Sequence, residues 1–246
     1  MRRQVDINDN KILNINNLKV FLQMKNQKLG IVFFVLAVCC ILSGIKSVSE
    51  EGVFFEKKSQ TFIDGELAGP SKVLRVWLKG NRLRYENENE KDKYVLILMD
   101  KGKTYELDKT HKTFKKSLNE TDKLKEANER SMVISKRTGR KKKIEKWNCY
   151  EVVLDSMIQG KKMKAICWLS EDIHISSNIM EKIAKFSQMK LMEELAKFSG
   201  YPVKMILEST LQGKHVKIMS TLTKISKEPI KANFLKVPFD YNEVDP

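Results

Sequence analysis

Apolar and polar residues alternate with a period of two along most of the chain beyond residue 50, as in strands that bury one face. The segments GVFFEKKSQTFI, SKVLRVWLK and YVLILMD show this pattern, and glycine turns such as Lys79-Gly80-Asn81-Arg82 separate such segments. Residues 94–99 are apolar at consecutive positions, which predicts a strand covered on both faces. The pattern predicts about nine or ten strands in an antiparallel meander, and hence a mainly β (α+β) domain.

Two segments have helical patterns instead. Residues 119–131 are mostly polar and predict a surface helix. Residues 176–198 carry apolar side chains at helical spacings, and Gly200 and Pro202 follow as a stop signal, so they predict an amphipathic helix. We expect this helical insert to cover the apolar face of a curved sheet. Because no repeat or Pro- or Ser-rich linker follows residue 49, residues 50–246 are predicted to form a single domain.

Residues 1–49 have the layout of a secretory signal peptide. Fourteen uncharged residues, Leu29–Leu42, follow two lysines and precede a small, polar stretch. Ser47 and Ser49 fit the −3 and −1 positions of a cleavage before Glu50. We therefore predict that the protein is exported to the periplasm and that its mature chain begins with EEGVFF.

The start of the chain leaves alternatives open. Initiation at Met24 gives a signal peptide of normal length, whereas residues 1–23 form an unusually long polar extension. An uncleaved membrane anchor is disfavoured because a spanning helix requires about 20 apolar residues. Lipidation at Cys39 is disfavoured because branched Val38, rather than a small residue, precedes it.

Removal of the signal peptide leaves Cys149 and Cys167, an even number in an oxidising compartment. Between them, Gln159-Gly160 predicts a hairpin turn, and folding about this turn brings the two cysteines close to opposite positions. We predict a cross-strand disulfide between Cys149 and Cys167. The alternative is two unpaired small side chains in the core.

The chain is strongly basic, with 46 Lys and Arg against 31 Asp and Glu and a formal net charge of +15. Such a charge attracts anionic membranes and acidic polymers. The densest basic run is RTGRKKKIEK, residues 137–146, which could contact phosphate head groups or acidic glycans. We favour a lysine-rich edge strand that prevents edge-to-edge pairing. Nucleic acid is not expected as a partner, because no aromatic-plus-basic signature accompanies these charges.

Motifs for catalysis and metal binding are missing from the sequence. His111, His174 and His215 are widely separated, and none belongs to a metal-binding pattern. The sequence has no G-x-S-x-G turn, no phosphate-binding glycine loop and no H-E-x-x-H. We therefore predict a protein that is not an enzyme and that uses no cofactor or metal.

Several phrases resemble a family of uncharacterised exported proteins related to the LolA-like and LolB-like lipoprotein carriers. They are RVWLKGNRLRYE, YVLILMDKGKTYELDKTHKTF, EKWNCYEVVLDSM, CWLSEDI and NFLKVPFDY. The recurring family features fall on Asp100, Cys149, Trp168 and the run Phe234–Tyr241. The resemblance implies an unclosed antiparallel β-barrel whose concave face is plugged by helices that shift when an acyl chain enters.

Together, these observations predict a periplasmic, non-enzymatic binding protein that holds a lipid or lipoprotein acyl chain between the curved sheet and the helix. Methionines on or beside the helix would let such a site repack around varied ligands. Two alternatives are a helix that only fills the core, and an envelope protein that uses its basic surface to hold an anionic membrane or polymer. The residues expected to line the ligand site are Trp77, Leu96, Leu98, Ile183, Phe186, Leu191, Leu195 and Phe198.

Overall fold

The computed structural model describes residues 52–118, 132–158, 161–173 and 190–245. All strands of these ranges belong to one 13-stranded sheet. The strands are β1 (Gly52–Ile63), β2 (Glu66–Leu67), β3 (Lys72–Lys79), β4 (Arg82–Asn87), β5 (Lys93–Leu98), β6 (Lys103–Asp108), β7 (Thr113–Leu118), β8 (Met132–Ile144), β9 (Trp147–Ile158), β10 (Lys161–Ser170), β11 (Tyr201–Leu211), β12 (Lys214–Glu228) and β13 (Asn242–Glu243). The helices are α1 (Lys190–Leu195) and two short 3₁₀ segments, Met99–Lys101 and Ala232–Leu235.

The predicted β architecture is confirmed as one open sheet. Its strand order is β13-β7-β6-β5-β4-β3-β1-β12-β11-β10-β9-β8, with β2 paired to β1. Two meanders, β3–β7 and β8–β12, are therefore joined through β1. Strand pairs are antiparallel, except that β13 runs parallel to β7. Eleven strands have six or more residues, so the sheet exceeds the predicted count of nine or ten.

One face of the sheet contacts the described helix, and we call it the helix-side face. Ser135 of β8 donates a hydrogen bond from Oγ to Glu194 Oε2 of α1 at 3.1 Å. Cross-strand pairing runs from Ser135 through Leu154, Ala165, Leu207 and Ile218 to Thr61, and directly paired residues share a face. Residues two apart along a strand also share a face, so Phe55 and Val76 belong to this face too. Both are fully buried.

The opposite face is the tail-side face, because the C-terminal part of the chain covers it over β3–β6. Trp77 lies between Val76 and Leu78, which are buried on the helix side, and therefore points to the tail side. Pairing continues this row from Trp77 through Arg84 to Leu96. The predicted strand apolar on both faces is β5, since Tyr94 and Leu96 are buried on the tail side and Ile97 is buried on the helix side.

The predicted disulfide between Cys149 and Cys167 is wrong. Cys167 pairs with Val152, three positions from Cys149 along β9. Three positions correspond to about 10 Å and place the two side chains on opposite faces, beyond the roughly 7 Å between Cα atoms that a disulfide allows. The predicted turn, Gln159-Gly160, lies outside the described residues. On either side of it β9 and β10 pair antiparallel with Leu169 opposite Tyr150, so Cys149 is not opposite Cys167. Both buried cysteines carry thiols.

The described part of the predicted amphipathic helix is α1, which ends at Leu195, three residues before the predicted end. The remainder of the predicted segment, residues 176–189, and the predicted surface helix at 119–131 lie outside the described residues. The predicted stop signal, Gly200, follows the end of α1 by five residues, and its own conformation requires glycine. Gly200 has φ of +86°, and a Cβ there would lie 2.5 Å from the carbonyl oxygen of Ser170.

Replacing Gly200→Ala is expected to destabilise the protein by about 2 kcal/mol more than Gly213→Ala does. Both glycines have left-handed φ, but a Cβ at Gly213 meets no atom within 4 Å. Gly213→Ala therefore adds backbone strain alone, whereas Gly200→Ala adds a clash with backbone atoms. Urea unfolding of both variants measures the difference. If both variants lose the same free energy of unfolding, the backbone of β10 at Ser170 moves aside without an energetic cost, and the expected clash is wrong.

We expect the thiols of Cys149 and Cys167 to react with iodoacetamide in denaturant without prior reduction. Burial raises the pKa of Cys149 to about 11, so little thiolate is present at neutral pH and labelling of the folded protein is slow. Peptide mass spectrometry before and after unfolding measures both rates. A mass that changes on reduction, with the two cysteine peptides joined, would contradict the observed register.

Candidate functional site

The C-terminal strap, residues 230–241, crosses the tail-side face. Its backbone is held from β3 and β4, whose alternation places cationic residues on this face. Three of these cations donate hydrogen bonds to strap carbonyl oxygens: Lys79 Nζ to Ile230 O at 3.0 Å, Arg84 Nη1 to Phe234 O at 3.2 Å and Arg82 Nη1 to Leu235 O at 3.3 Å. The sheet therefore holds the strap backbone at three carbonyl groups.

Arg84 is the central contact of the strap. Its guanidinium carbon lies 3.8 Å from the ring centroid of Tyr94 and 4.0 Å from that of Phe234, so it is stacked between a sheet residue and a strap residue. Arg84 Nε donates to Glu86 Oε1 at 2.9 Å, and Nη2 also contacts this carboxylate. Only 11% of the Arg84 side chain is exposed, so these contacts are largely shielded from water.

Aromatic rings extend the contact between strap and sheet from Arg84 towards the central strand β1. The Trp77 ring lies 5.2 Å from that of Phe54 and 5.2 Å from that of Phe234, the latter in an edge-to-face arrangement. Trp77, which the sequence placed in the ligand site, thus lies under the strap.

An apolar cleft of about 170 Å³ opens between β4–β6 and the strap. Its sheet wall contains Leu96, Leu98 and Tyr105, and Leu235 and Val237 of the strap form the other wall. Two cations complete it, Arg82 and the exposed Lys236. We call this the strap cleft.

The far end of the strap is anchored on the buried cluster of Tyr94, Leu96 and Leu107. Val237 and Tyr241 pack against this cluster. Burial, with a hydrogen bond to Tyr241, raises the pKa of Tyr94 to about 12, so its phenol is neutral at physiological pH. Beyond the strap, β13 pairs with β7, and Lys112 forms an ion pair with Asp240 at 3.0 Å.

The structure does not gather the eight predicted ligand residues in one place. Trp77, Leu96 and Leu98 lie on the tail-side face, whereas Leu191 and Leu195 are buried in α1 on the helix side. Phe198 is partly buried beyond the end of α1. Ile183 and Phe186 lie outside the described residues, and ligand binding by any of the eight stays a prediction.

Sequence reasoning missed the strap and its cations. Arg82 and Arg84 share a face of β4, and this spacing was available as a signal. The run Phe234–Tyr241 was read only as a family feature, because nothing in it indicates which face of the sheet it crosses.

Other chemistry is sparse in the described ranges. His, Cys, Asp and Glu form no group of three there that could hold a metal ion. His111 is exposed and lies 3.1 Å from Asp108, between Nδ1 and Oδ1, and His215 is exposed at the start of β12. His174 is outside these ranges. None of the helices in the described ranges has the length and hydropathy of a membrane span.

Arg84→Met is expected to lower the free energy of unfolding by about 2 kcal/mol, because it removes the shielded hydrogen bonds to Phe234 O and Glu86 and two ring contacts. Arg75→Met is the matched control, since Arg75 bonds Glu56 and Glu88 at 3.1 Å but is 39% exposed. This control should cost less than about 1 kcal/mol. Hydrogen exchange at the Val244 amide, which bonds Phe114 O at 2.9 Å, should accelerate only in Arg84→Met. Equal behaviour of the two variants would contradict the central role of Arg84.

Several solved structures resemble this one at low sequence identity. PNGF-II has a TM-score of 0.42 and 12% identity over 80% of this chain and 32% of its own, so the chain spans about a third of that protein. A DUF1329 family protein from Desulfovibrio piger has a TM-score of 0.34 and 6% identity over 75% of this chain and 89% of its own. A protein domain named for outer membrane lipoprotein sorting, from Vibrio parahaemolyticus, has a TM-score of 0.35 and 6% identity over 76% and 90%. All TM-scores are below 0.5, so none supports a conclusion on ligand or partner.

No curated protein matches the sequence. A family model, however, matches residues 72–241, which is more than half of the 246-residue chain and includes the strap. The predicted relationship to uncharacterised proteins is confirmed, and the lipoprotein-sorting domain is among the similar structures. The chain belongs to the family described as DUF4412, a domain of unknown function.

Proposed function

We propose that this protein is a non-enzymatic binding protein of the cell envelope that holds a lipid or lipoprotein acyl chain in the strap cleft. The observation that carries the proposal is an apolar cleft of about 170 Å³ with two cations among its lining residues. Apolar walls with a few convergent polar groups are typical of ligand sites. The predicted signal peptide supports a location outside the cytoplasm.

The lining suits an amphiphile with an anionic head. Leu96, Leu98 and Val237 offer apolar contact to a chain, and the exposed Lys236 can pair with a carboxylate or phosphate at the mouth. Arg82 already donates a hydrogen bond to Leu235 O at 3.3 Å. A ligand head group that pairs with Arg82 therefore breaks this bond and weakens the attachment of the strap. Binding and strap position are therefore coupled in this proposal.

The size of the cleft limits what it holds while the strap is closed. Small-molecule sites usually have volumes of about 300–1,000 Å³, so the strap cleft fits the end of one acyl chain. A larger lipid requires the strap to move away from β4–β6. Only three hydrogen bonds from side chains of β3 and β4 hold its backbone over the sheet in the described ranges, and such a movement leaves the sheet pairing intact.

Replacing Leu98→Trp should weaken binding of a fluorescent fatty acid at least about tenfold, because the larger ring fills part of the cleft. Leu67→Trp is the control, since Leu67 is half exposed on β2 and away from the strap. Titration of the processed protein purified from the cell envelope measures both affinities. The unfolding transition of each variant shows whether the fold is retained.

Native mass spectrometry of the same preparations tests the proposal independently of the probe. Lipid bound to the wild type and missing from Leu98→Trp supports the strap cleft as its site. If the wild type copurifies with no lipid and takes up no fatty acid, the proposed function is wrong. If Leu98→Trp binds as the wild type does, the ligand lies elsewhere.

A further inference from the structure

An exposed apolar patch lies on the tail-side face at the opposite end of the sheet from the strap. Met132 and Ile134 of β8 are 65% and 64% exposed, and Met157 of β9 is 39% exposed. Met132 pairs directly with Met157, so their Cβ atoms are about 5 Å apart, and Ile134 follows about 7 Å along β8. We call these three residues the edge patch.

Lysines surround the edge patch on the same face. Lys162 pairs with Met157, and Lys164 lies two positions further along β10. On β8, Lys136 follows Ile134 by two positions and therefore shares its face. All three lysines are exposed. Asp155 lies opposite both Ile134 and Lys164, and Glu208, opposite Lys164 on β11, forms an ion pair with Lys217 at 3.5 Å, so the surroundings still have a net positive charge.

The basic run of residues 137–146 continues from the edge patch along β8. As expected for a lysine-rich edge strand, β8 lies at one end of the sheet order. Arg140 is neutralised by Glu151, with Nη2 2.5 Å from Oε2. Lys141 and Lys143 are exposed, but they pair with Tyr150 and Asn148 of β9 and therefore lie on the helix-side face with Leu154, not on the face of the edge patch. Lys142 pairs with Cys149 and is exposed, so positive charge continues beyond Lys136 on the face of the edge patch.

We propose that the edge patch and its lysines form a docking surface for an anionic lipid bilayer. Apolar side chains that enter the head-group region, flanked by cations that pair with anionic lipids, are the features of proteins that lie on a membrane surface. Charge complementarity selects this occupant, because a neutral or cationic partner gains nothing from the lysines. This inference is independent of the strap cleft and places the protein at a membrane from which a lipid ligand could come.

Binding of the processed protein to vesicles tests the inference. Vesicles of phosphatidylcholine containing phosphatidylglycerol should bind it, and vesicles of pure phosphatidylcholine should bind it weakly. Raising the salt should weaken binding, because charges are screened beyond about 10 Å at 0.1 M. Each of Lys136→Gln, Lys162→Gln and Lys164→Gln should weaken binding about fivefold, equivalent to about 1 kcal/mol. Lys214→Gln, which replaces an exposed lysine at the start of β12, is the matched control and should have no effect.

The apolar contribution is tested by the double change Met132→Ser with Ile134→Ser, which should abolish most vesicle binding. Leu67→Ser removes a similarly exposed apolar side chain from β2 and should leave binding unchanged. Because the replaced residues are exposed, the variants are expected to fold, and circular dichroism checks this.

Two outcomes overturn the inference. One is equal binding to both kinds of vesicle by wild type and variants. The other is a shift from dimer to monomer in the double variant without a change in vesicle binding, which would assign the edge patch to a second copy of the chain. Leu98→Trp should bind vesicles as the wild type does. The fatty-acid titration therefore tests the strap cleft alone, and vesicle binding tests the edge patch alone.

Discussion

The pairing of β1 with β12 is the interaction on which the rest of the structure depends. Gly52 pairs with Glu228 and Ile63 with Val216, so the first described strand is joined to the last long one. Thr223, at the irregularity in this pairing, donates to Glu56 O at 3.1 Å and keeps the two strands together there. Because β1 also pairs with β3, it is the only strand that joins the two meanders within the described residues.

This pairing also determines where the strap begins. β12 ends beside the start of β1, and Ile230 packs so closely over Gly52 that a Cβ there would lie 2.2 Å from Ile230 Cδ1. The chain then turns onto the tail-side face, where cations of β3 and β4 donate hydrogen bonds to its carbonyl oxygens. The strap cleft is thus a consequence of long-range strand pairing, and its walls come from parts of the sequence about 140 residues apart.

The two faces of the sheet are covered differently. The helix-side face is packed, with Phe55 fully buried and its ring 5.5 Å from that of Tyr201. The tail-side face is covered by the strap over β3–β6 and carries exposed apolar side chains on β8 and β9. A ligand cleft and a docking surface on one face, at separate ends, would let a membrane-bound protein take up a lipid without rearranging its packed face.

The sequence by itself determined the local structure: period-two alternation predicted the strands, glycine turns predicted the hairpins, and helical spacing predicted the segment that contains α1. These features are encoded within a few residues of one another. Register and the choice of face were decided only by the tertiary structure. Cys149 and Cys167 were expected to bond and instead lie on opposite faces, and Trp77 and Leu191 were assigned to one site and lie on different sides of the sheet. A shift of one residue moves a side chain to the other face at no cost to local propensity, so only packing between distant segments fixes it.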